Sequence, residues 1–136
     1  MIAGLVLTHG NLAIELVHSA KTIVSSDIPL FPVPLKWTYT WEEALREVKS
    51  VLEKLKDYEN IMLFTDMYGG TPSNIAFSLI QPERIAVITG VNLPILVSFL
   101  SLQIEDMKNI QEVASFLIKR GKASIKRYRE TEWNGK

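Results

Sequence analysis

The feature that most constrains the fold is a short, wholly apolar run that ends abruptly at a histidine and a glycine. Residues 2–7 have the length of one strand and lack the polar alternation of a half-exposed strand. Thr8, His9 and Gly10 follow directly, and a helical pattern begins after them. This order is typical of a buried strand that delivers His9 to a tight turn at its carboxyl end.

A second apolar run ends in the same way, but at a carboxylate. Residues 61–65 lead into Asp66, and Asp66 leads into a loop over 67–72 that contains two consecutive glycines. In open α/β sheets, ligands bind in the crevice at the carboxyl ends of the strands. We therefore expect His9 and Asp66 to share one site.

Strands and helices alternate along the rest of the chain. The apolar periodicity predicts helices over about 11–24, 40–56, 71–80, 105–120 and another from Asn92, with a further strand over 84–89. Gly121 is expected to end the last long helix. The pattern predicts an α/β fold with a doubly wound, mostly parallel open sheet and helices on both faces. At 136 residues, the whole of 1–136 is expected to be one domain.

Three prolines within residues 28–34 interrupt what is otherwise an apolar stretch. Each proline lacks the N–H that a central strand must donate, so this segment is predicted to be an edge strand or an extended connection. The aromatic residues Trp37, Tyr39 and Trp41 follow it. They are expected to pack against the fold, with a docking surface as the alternative.

The composition excludes several classes of function. Lys plus Arg equals Asp plus Glu at 15 each, so no nucleic acid or anionic membrane partner is expected. Because cysteine is absent, thiolate catalysis and disulfides are excluded, which fits a cytoplasmic protein. No signal peptide pattern is present, and the apolar runs are too short to span a bilayer. With only two histidines and no cysteine, no metal site is expected. No cofactor is expected either, since the sequence has neither a P-loop nor a dinucleotide-binding motif.

His9 and Asp66 together indicate nucleophilic chemistry. Imidazole is the side chain best suited to act as a nucleophile or base near neutral pH. A carboxylate bonded to one ring nitrogen fixes the tautomer and leaves the other nitrogen facing the substrate. His18, the second histidine, lies opposite the apolar stripe of its helix and is expected to be a solvated surface residue.

The glycines and Thr71 indicate an anion site beside that pair. Gly69 and Gly70 allow backbone N–H groups to turn inward, and Pro72 suits the first turn of a helix with Thr71 as its N-cap. Helix N-termini favour anions, and Gly10 opens a second helix near His9. The alternative is that the two glycines form only a turn and that Thr71 is only a cap.

Three motifs in order resemble the IIA domain of the mannose-type family of the bacterial phosphoenolpyruvate:sugar phosphotransferase system. They are Thr8-His9-Gly10 with Leu12-Ala13, then Asp66-x-x-Gly69-Gly70-Thr71-Pro72-x-Asn74, and finally Gly90-Val91-Asn92-Leu93-Pro94. The resemblance covers nearly the whole chain. It implies that His9 accepts a phosphoryl group from phospho-HPr and passes it to a IIB partner during sugar uptake, with Asp66 orienting the ring.

The resemblance also implies an assembly. Members of the family form homodimers by exchanging a C-terminal strand, and the segment over 123–129 is the one that would swap. The IIB partner is expected to be a separate protein, and contact with the membrane permease is expected to be indirect only. The alternative function is a regulatory module whose phosphohistidine signals the state of the phosphotransferase system without sugar transport.

Overall fold

The computed structural model describes residues 1–103, 105, 108–129, 131, 133 and 135. Within these residues the strands are β1 (Ile2–His9), β2 (Leu30–Leu35), β3 (Asn60–Thr65) and β4 (Ile85–Ile88). The helices are α1 (Leu12–Ile23), α2 (Trp41–Lys54), α3 (Thr71–Ser78), α4 (Leu93–Leu100) and α5 (Ile110–Ala123). No helix of the described part is long and apolar enough to cross a membrane.

The four strands form one sheet in the order β2-β1-β3-β4, and every pairing is parallel. The predicted parallel α/β fold is confirmed. β2, which contains Pro32 and Pro34, lies at an edge, where a residue without an N–H is tolerated. In the other direction β1 pairs with β3 in a register that aligns Leu7 with Thr65.

Helices cover both faces of the sheet, and alternate residues of each strand point to opposite layers. One core layer lies beneath α1, α4 and α5 and includes Val6 and Phe64. The other lies beneath α2 and α3 and includes Leu5 and Leu63. Because β1 and β3 are buried on both faces, they lack polar alternation, as the sequence indicated.

The starts of α2 and of α4 show the side-chain capping that is common at helix N-termini. The Thr40 hydroxyl accepts a hydrogen bond from the Glu43 backbone N–H at 3.2 Å. The Asn92 side chain accepts one from the Ile95 backbone N–H at 2.9 Å. These bonds satisfy donors that the first turn of a helix leaves unpaired.

The prediction that Gly121 ends the last helix is wrong, because α5 continues to Ala123. Gly121 is buried, and a Cβ there would collide with the side chain of Ile95 on α4. The Asn92 amide donates to the Gly121 carbonyl at 3.3 Å. This glycine therefore permits two helices to approach closely, and it does not supply a left-handed cap.

Two expectations concern the C-terminal part of the chain, namely the start of its last helix and the segment over 123–129. α5 begins at Ile110 rather than near 105, and residues 104, 106 and 107 lie outside the described part. Residues 125–129 form no helix or strand, and Ile125 and Tyr128 are exposed. The predicted strand exchange between protomers stays a prediction.

The topology brings the ends of β1 and β3 together. The chain goes from β1 to β2 on one side and then crosses to β3 on the other side, so β1 and β3 flank the point where the winding reverses. Since all strands are parallel, their carboxyl ends meet at one edge of the sheet. Ligand crevices of open α/β sheets form at this point.

Candidate functional site

His9 and Asp66 lie side by side at the ends of β1 and β3. Oδ2 of Asp66 is 2.8 Å from the Nδ1 atom of His9 and also accepts the His9 backbone N–H at 2.9 Å. The other carboxylate oxygen accepts the Met67 backbone N–H at 3.0 Å. The two side chains are 25% and 12% exposed, so the pair is sheltered but open to solvent.

This arrangement selects one nitrogen of the histidine for chemistry. A carboxylate only accepts hydrogen bonds, so the contact with Asp66 holds a proton on Nδ1. In a neutral ring the lone pair is then on Nε2. The Nε2 edge faces the glycine loop, because a Cβ at Gly70 would lie 3.0 Å from that nitrogen.

The glycine loop is shaped for backbone donors. Gly69 and Gly70 have φ values of +89° and +85°, which residues with a Cβ rarely adopt. The N–H groups of residues 69–71 have no acceptor within the described part of the chain. Unpaired backbone donors in such a loop form a concavity that suits an anion.

The expected cap of α3 lies one residue earlier than predicted. Gly70 occupies the N-cap position, and Thr71 is the first residue of the helix, where its side chain is exposed. The Gly70 carbonyl accepts the first bond of the helix, from the Asn74 N–H at 3.1 Å. Pro72 therefore occupies the second helical position, where its missing N–H is not needed.

Gly10 forms the turn between β1 and α1, with φ at +59°. Its own N–H donates to the Leu35 carbonyl at 2.9 Å and is not free for a ligand. Gly10 therefore serves the site by opening α1 next to His9. The bond to Leu35 also fixes the end of β2 beside the same turn.

Three buried hydroxyl groups support these loops from inside the fold, a role that the sequence did not predict although Thr8 belongs to the first motif. Thr8, Thr65 and Ser73 are fully buried, and their hydroxyls donate to the carbonyls of residues 10, 67 and 70 at 3.3, 3.5 and 3.3 Å. The Thr8 hydroxyl also accepts the Ala13 N–H at 2.8 Å. Their positions in the sequence could have indicated this role. Two of them directly precede His9 and Asp66, and the third follows the two glycines closely.

Trp37 is a further residue of the site that the motifs do not reveal. Its ring stacks on that of His9, with centroids 5.2 Å apart and planes inclined by 24°. Tyr39 is half-buried beside the core under α2, as expected of a packing residue. His18, the other histidine, is exposed on α1, as predicted.

Within the part of the chain that the structure describes, no three histidine, aspartate or glutamate side chains gather as a metal site would require. The described site consists of one imidazole, one carboxylate and a set of backbone donors. These groups suit a nucleophile that attacks an electrophilic atom within an anionic group.

Comparison with known proteins decides the family. A family model described as EIIA-man, the PTS system fructose IIA component, matches residues 4–118, which include both His9 and Asp66. The chain belongs to this family. This IIA protein is thus a phosphotransfer component of a sugar-transporting phosphotransferase system.

Individual relatives agree with this assignment. The IIA protein is 31% identical over 104 residues to the fructose-specific EIIA component of Bacillus subtilis strain 168, covering 76% of this chain and 71% of that protein. It is 25% identical over 126 residues to the mannose-specific EIIAB component of Escherichia coli K12, covering 92% of this chain and 39% of that protein.

The fold has close counterparts among solved structures. The mannose/sorbose-specific IIA subunit from Enterococcus faecalis superimposes with a TM-score of 0.81 at 20% identity, covering 97% of this chain and 98% of that one. Likeness at this identity concerns the fold alone. It supports the parallel sheet and its helices as the common architecture of these proteins.

Proposed function

We propose that this IIA protein carries a phosphoryl group on His9, which it accepts from phospho-HPr and passes to a IIB component during sugar uptake. The observation that carries the proposal is the geometry of the His9 ring. Asp66 binds Nδ1 at 2.8 Å, while Nε2 faces the glycine loop, in which the N–H groups of residues 69–71 have no acceptor among the described residues. A nucleophilic nitrogen and an anion-binding loop therefore adjoin.

In the first transfer, the lone pair of Nε2 attacks the phosphorus of the donor phosphohistidine. The new phosphorus–nitrogen bond forms as the bond to the donor nitrogen breaks, and the donor imidazole leaves with that electron pair. The proton of His9 stays on Nδ1, between the ring and Asp66. The second transfer repeats these events in reverse, with a nucleophile of the IIB component as the acceptor.

The surroundings supply positioning and charge stabilisation, on which phosphoryl transfer mainly depends. The N–H groups of Gly69, Gly70 and Thr71 bind the phosphoryl oxygens, and the exposed Thr71 hydroxyl adds a donor. The carboxylate of Asp66 offsets the positive charge that the ring acquires when Nε2 forms its fourth bond. Because the histidine itself holds the phosphoryl group, the proposal includes no metal and no organic cofactor.

The proposal includes a cytoplasmic location, where the donor resides, and a homodimer. Among the described strands β4 pairs only with β3. On its other side Gln81 bridges Ile85 alone, and the rest of that edge has no strand partner. Ile125 and Tyr128 are exposed in a segment that forms no helix or strand, and in the proposed dimer this segment adds to that edge in a second copy. This arrangement supports the exchange of the segment over 123–129.

The experiment that tests the carrier role is phosphorylation in a reconstituted system. The protein is incubated with phosphoenolpyruvate, enzyme I and HPr, and the phosphate incorporated is measured by intact mass spectrometry. We expect one acid-labile phosphoryl group per chain in wild type and in His18→Gln, and none in His9→Gln. Uptake at normal yield by His9→Gln would refute the proposal.

A further inference from the structure

We infer that Trp37 is a positioning residue for His9: its indole holds the imidazole against Asp66 and stabilises the charge that the ring acquires with the phosphoryl group. The inference rests on the proposed phosphoryl transfer and assigns a role to a residue outside the three motifs. Trp37 contacts the face of the histidine ring, whereas the motif residues Asp66 and Gly70 contact its edges.

Three groups confine the His9 ring, each from a different side. Asp66 binds the Nδ1 edge, and Gly70 lies against the Nε2 edge. Trp37 covers one face, with a centroid distance of 5.2 Å and an interplanar angle of 24°. A hydrogen bond to Asp66 alone allows the ring to tilt about the contact, and the indole restricts that tilt.

The backbone fixes where the indole lies. The Gly10 N–H donates to the Leu35 carbonyl at 2.9 Å and so ties the end of β2 to the turn beside His9. Two residues later, Trp37 lies in a turn that the Tyr39 N–H closes by donating to the Lys36 carbonyl at 3.0 Å. The proline-containing edge strand therefore ends where it presents Trp37 to the site.

Gly10 provides the space that the indole occupies. A Cβ at Gly10 would lie 3.1 Å from the Trp37 Nε1 atom, which is tighter than ordinary van der Waals contact. The absence of a side chain at position 10 thus permits the stacking as well as the positive φ of the turn. Both His9 and Gly10, at the end of β1, therefore lie against Trp37.

Burial does not explain this placement. Trp37 is 79% exposed, so it contributes little apolar area to the core. An indole left in water on most of its surface, yet stacked on the one imidazole at the sheet's ligand edge, indicates a role in the site. Tyr39 differs from Trp37 in this respect, because it is half-buried against the core.

The stacking also affects the charge that the His9 ring carries after phosphorylation. With a proton on Nδ1 and the phosphoryl group on Nε2, the imidazole ring carries a positive charge. The π face of tryptophan attracts cations within about 6 Å of its centroid. Trp37 therefore stabilises the phosphorylated ring from its face while Asp66 does so from its edge.

The test compares Trp37→Leu and Trp37→Phe with Trp41→Leu as the matched control. Trp41 also follows the proline segment and is 42% exposed, but it begins α2. We expect Trp37→Leu to lower kcat for phosphate uptake by about 2- to 30-fold, the range of a cation–π contact. Trp37→Phe should recover most of the loss, and Trp41→Leu should behave as wild type.

Two readouts separate positioning from other roles. In NMR spectra, the His9 ring protons should lose their indole ring-current shift in Trp37→Leu and keep part of it in Trp37→Phe. Phospho-His9 should hydrolyse faster in Trp37→Leu. A raised KM for phospho-HPr at unchanged kcat would overturn the inference, because Trp37 would then be a docking residue. So would an unchanged ring-current shift.

The failure of this inference is distinguishable from failure of the proposed function. If wild type takes up no phosphate, the proposed function fails, and the part of the inference about charge fails with it. The ring-current shift is measured on the unphosphorylated protein and then decides the positioning part alone. If wild type takes up phosphate and Trp37→Leu matches it in kcat and in hydrolysis, only the inference fails.

Discussion

One carboxylate oxygen of Asp66 binds His9 twice, accepting the backbone N–H at 2.9 Å and facing Nδ1 at 2.8 Å. The acid therefore ties the ends of β1 and β3 together while it orients the ring. Its removal would affect both tasks, but by different amounts. A neutral amide still accepts the backbone bond, whereas it neither fixes the tautomer nor offsets charge.

Asp66→Asn should consequently slow phosphoryl transfer far more than it destabilises the fold. We expect the transfer rate to fall by a factor on the order of 10² to 10⁴, as for loss of an orienting acid in a catalytic triad. The free energy of unfolding should fall by about 1.5–3 kcal/mol, the worth of a hydrogen bond to a charged group. Rapid-quench transfer assays and urea denaturation measure the two quantities.

The control for this prediction is Asp57→Asn, which changes an exposed aspartate outside the site. It should leave both the transfer rate and the free energy of unfolding at wild-type values. Proportional losses of rate and stability in Asp66→Asn would mark Asp66 as a structural link between strands.

The two loop glycines offer a matched pair of variants. Both have φ near +90°, so alanine at either position strains the backbone. At Gly70, where ψ is 175°, the cost should be about 1–3 kcal/mol, because only glycine readily adopts this conformation. Only at Gly70 would the new Cβ meet His9, at 3.0 Å from Nε2, while a Cβ at Gly69 meets nothing within 4 Å. Gly70→Ala should therefore lower the transfer rate by about 10- to 100-fold, in line with the effect of misplacing a reacting group.

Gly69→Ala should also lose stability, but far less transfer activity. Thermal unfolding and the transfer assay, run on both variants, give the comparison. Equal transfer rates in the two alanine variants would show that strain in the loop, and not access to Nε2, controls the reaction.

The buried Thr8 hydroxyl supports the first loop from below. It accepts the Ala13 N–H at 2.8 Å and donates to the Gly10 carbonyl at 3.3 Å. Thr8→Val should lower the free energy of unfolding by about 1–3 kcal/mol, because it leaves a buried N–H unpaired. Thr8→Ser keeps the hydroxyl and should lose clearly less. Denaturant titration tests this, and a larger loss in Thr8→Ser would contradict the assigned hydrogen bonds.

The dimer proposal makes a prediction about the C-terminal segment. Ile125→Asp places a charge on an exposed apolar residue of that segment, which a partner's sheet edge would bury. We expect light scattering to give a dimer for wild type and a shift toward monomer for this variant. Lys126→Asp should retain the dimer, because successive residues of an added strand point to opposite sides. A monomeric wild type would refute the exchange.

The sequence predicted the fold well because its signals were physical constraints on single segments. A wholly apolar run of strand length, bounded by turn residues, is typical of a strand covered on both faces, as β1 and β3 are. Three prolines restrict a segment to an edge, where β2 lies. Strands ending in His9 and Asp66 met because parallel strands end at one edge.

What the sequence did not predict depends on contacts between distant segments. Trp37 belongs to none of the three motifs. Its stacking on His9 arises because the Gly10 N–H binds the end of β2, just before the turn that holds Trp37. Gly121 has the local appearance of a helix stop, but the close approach of α4 explains it. Local spacing carries no information on either contact.

Identifying the ring nitrogen that bears the phosphoryl group tests the proposed function most directly. The measurement is a two-dimensional NMR correlation spectrum of the phosphorylated protein, with ¹⁵N in its histidine rings. The account predicts a single phosphohistidine, at His9, with phosphorus on Nε2 and the proton retained on Nδ1 beside Asp66. Phosphorus on Nδ1, or on any residue other than His9, would contradict it.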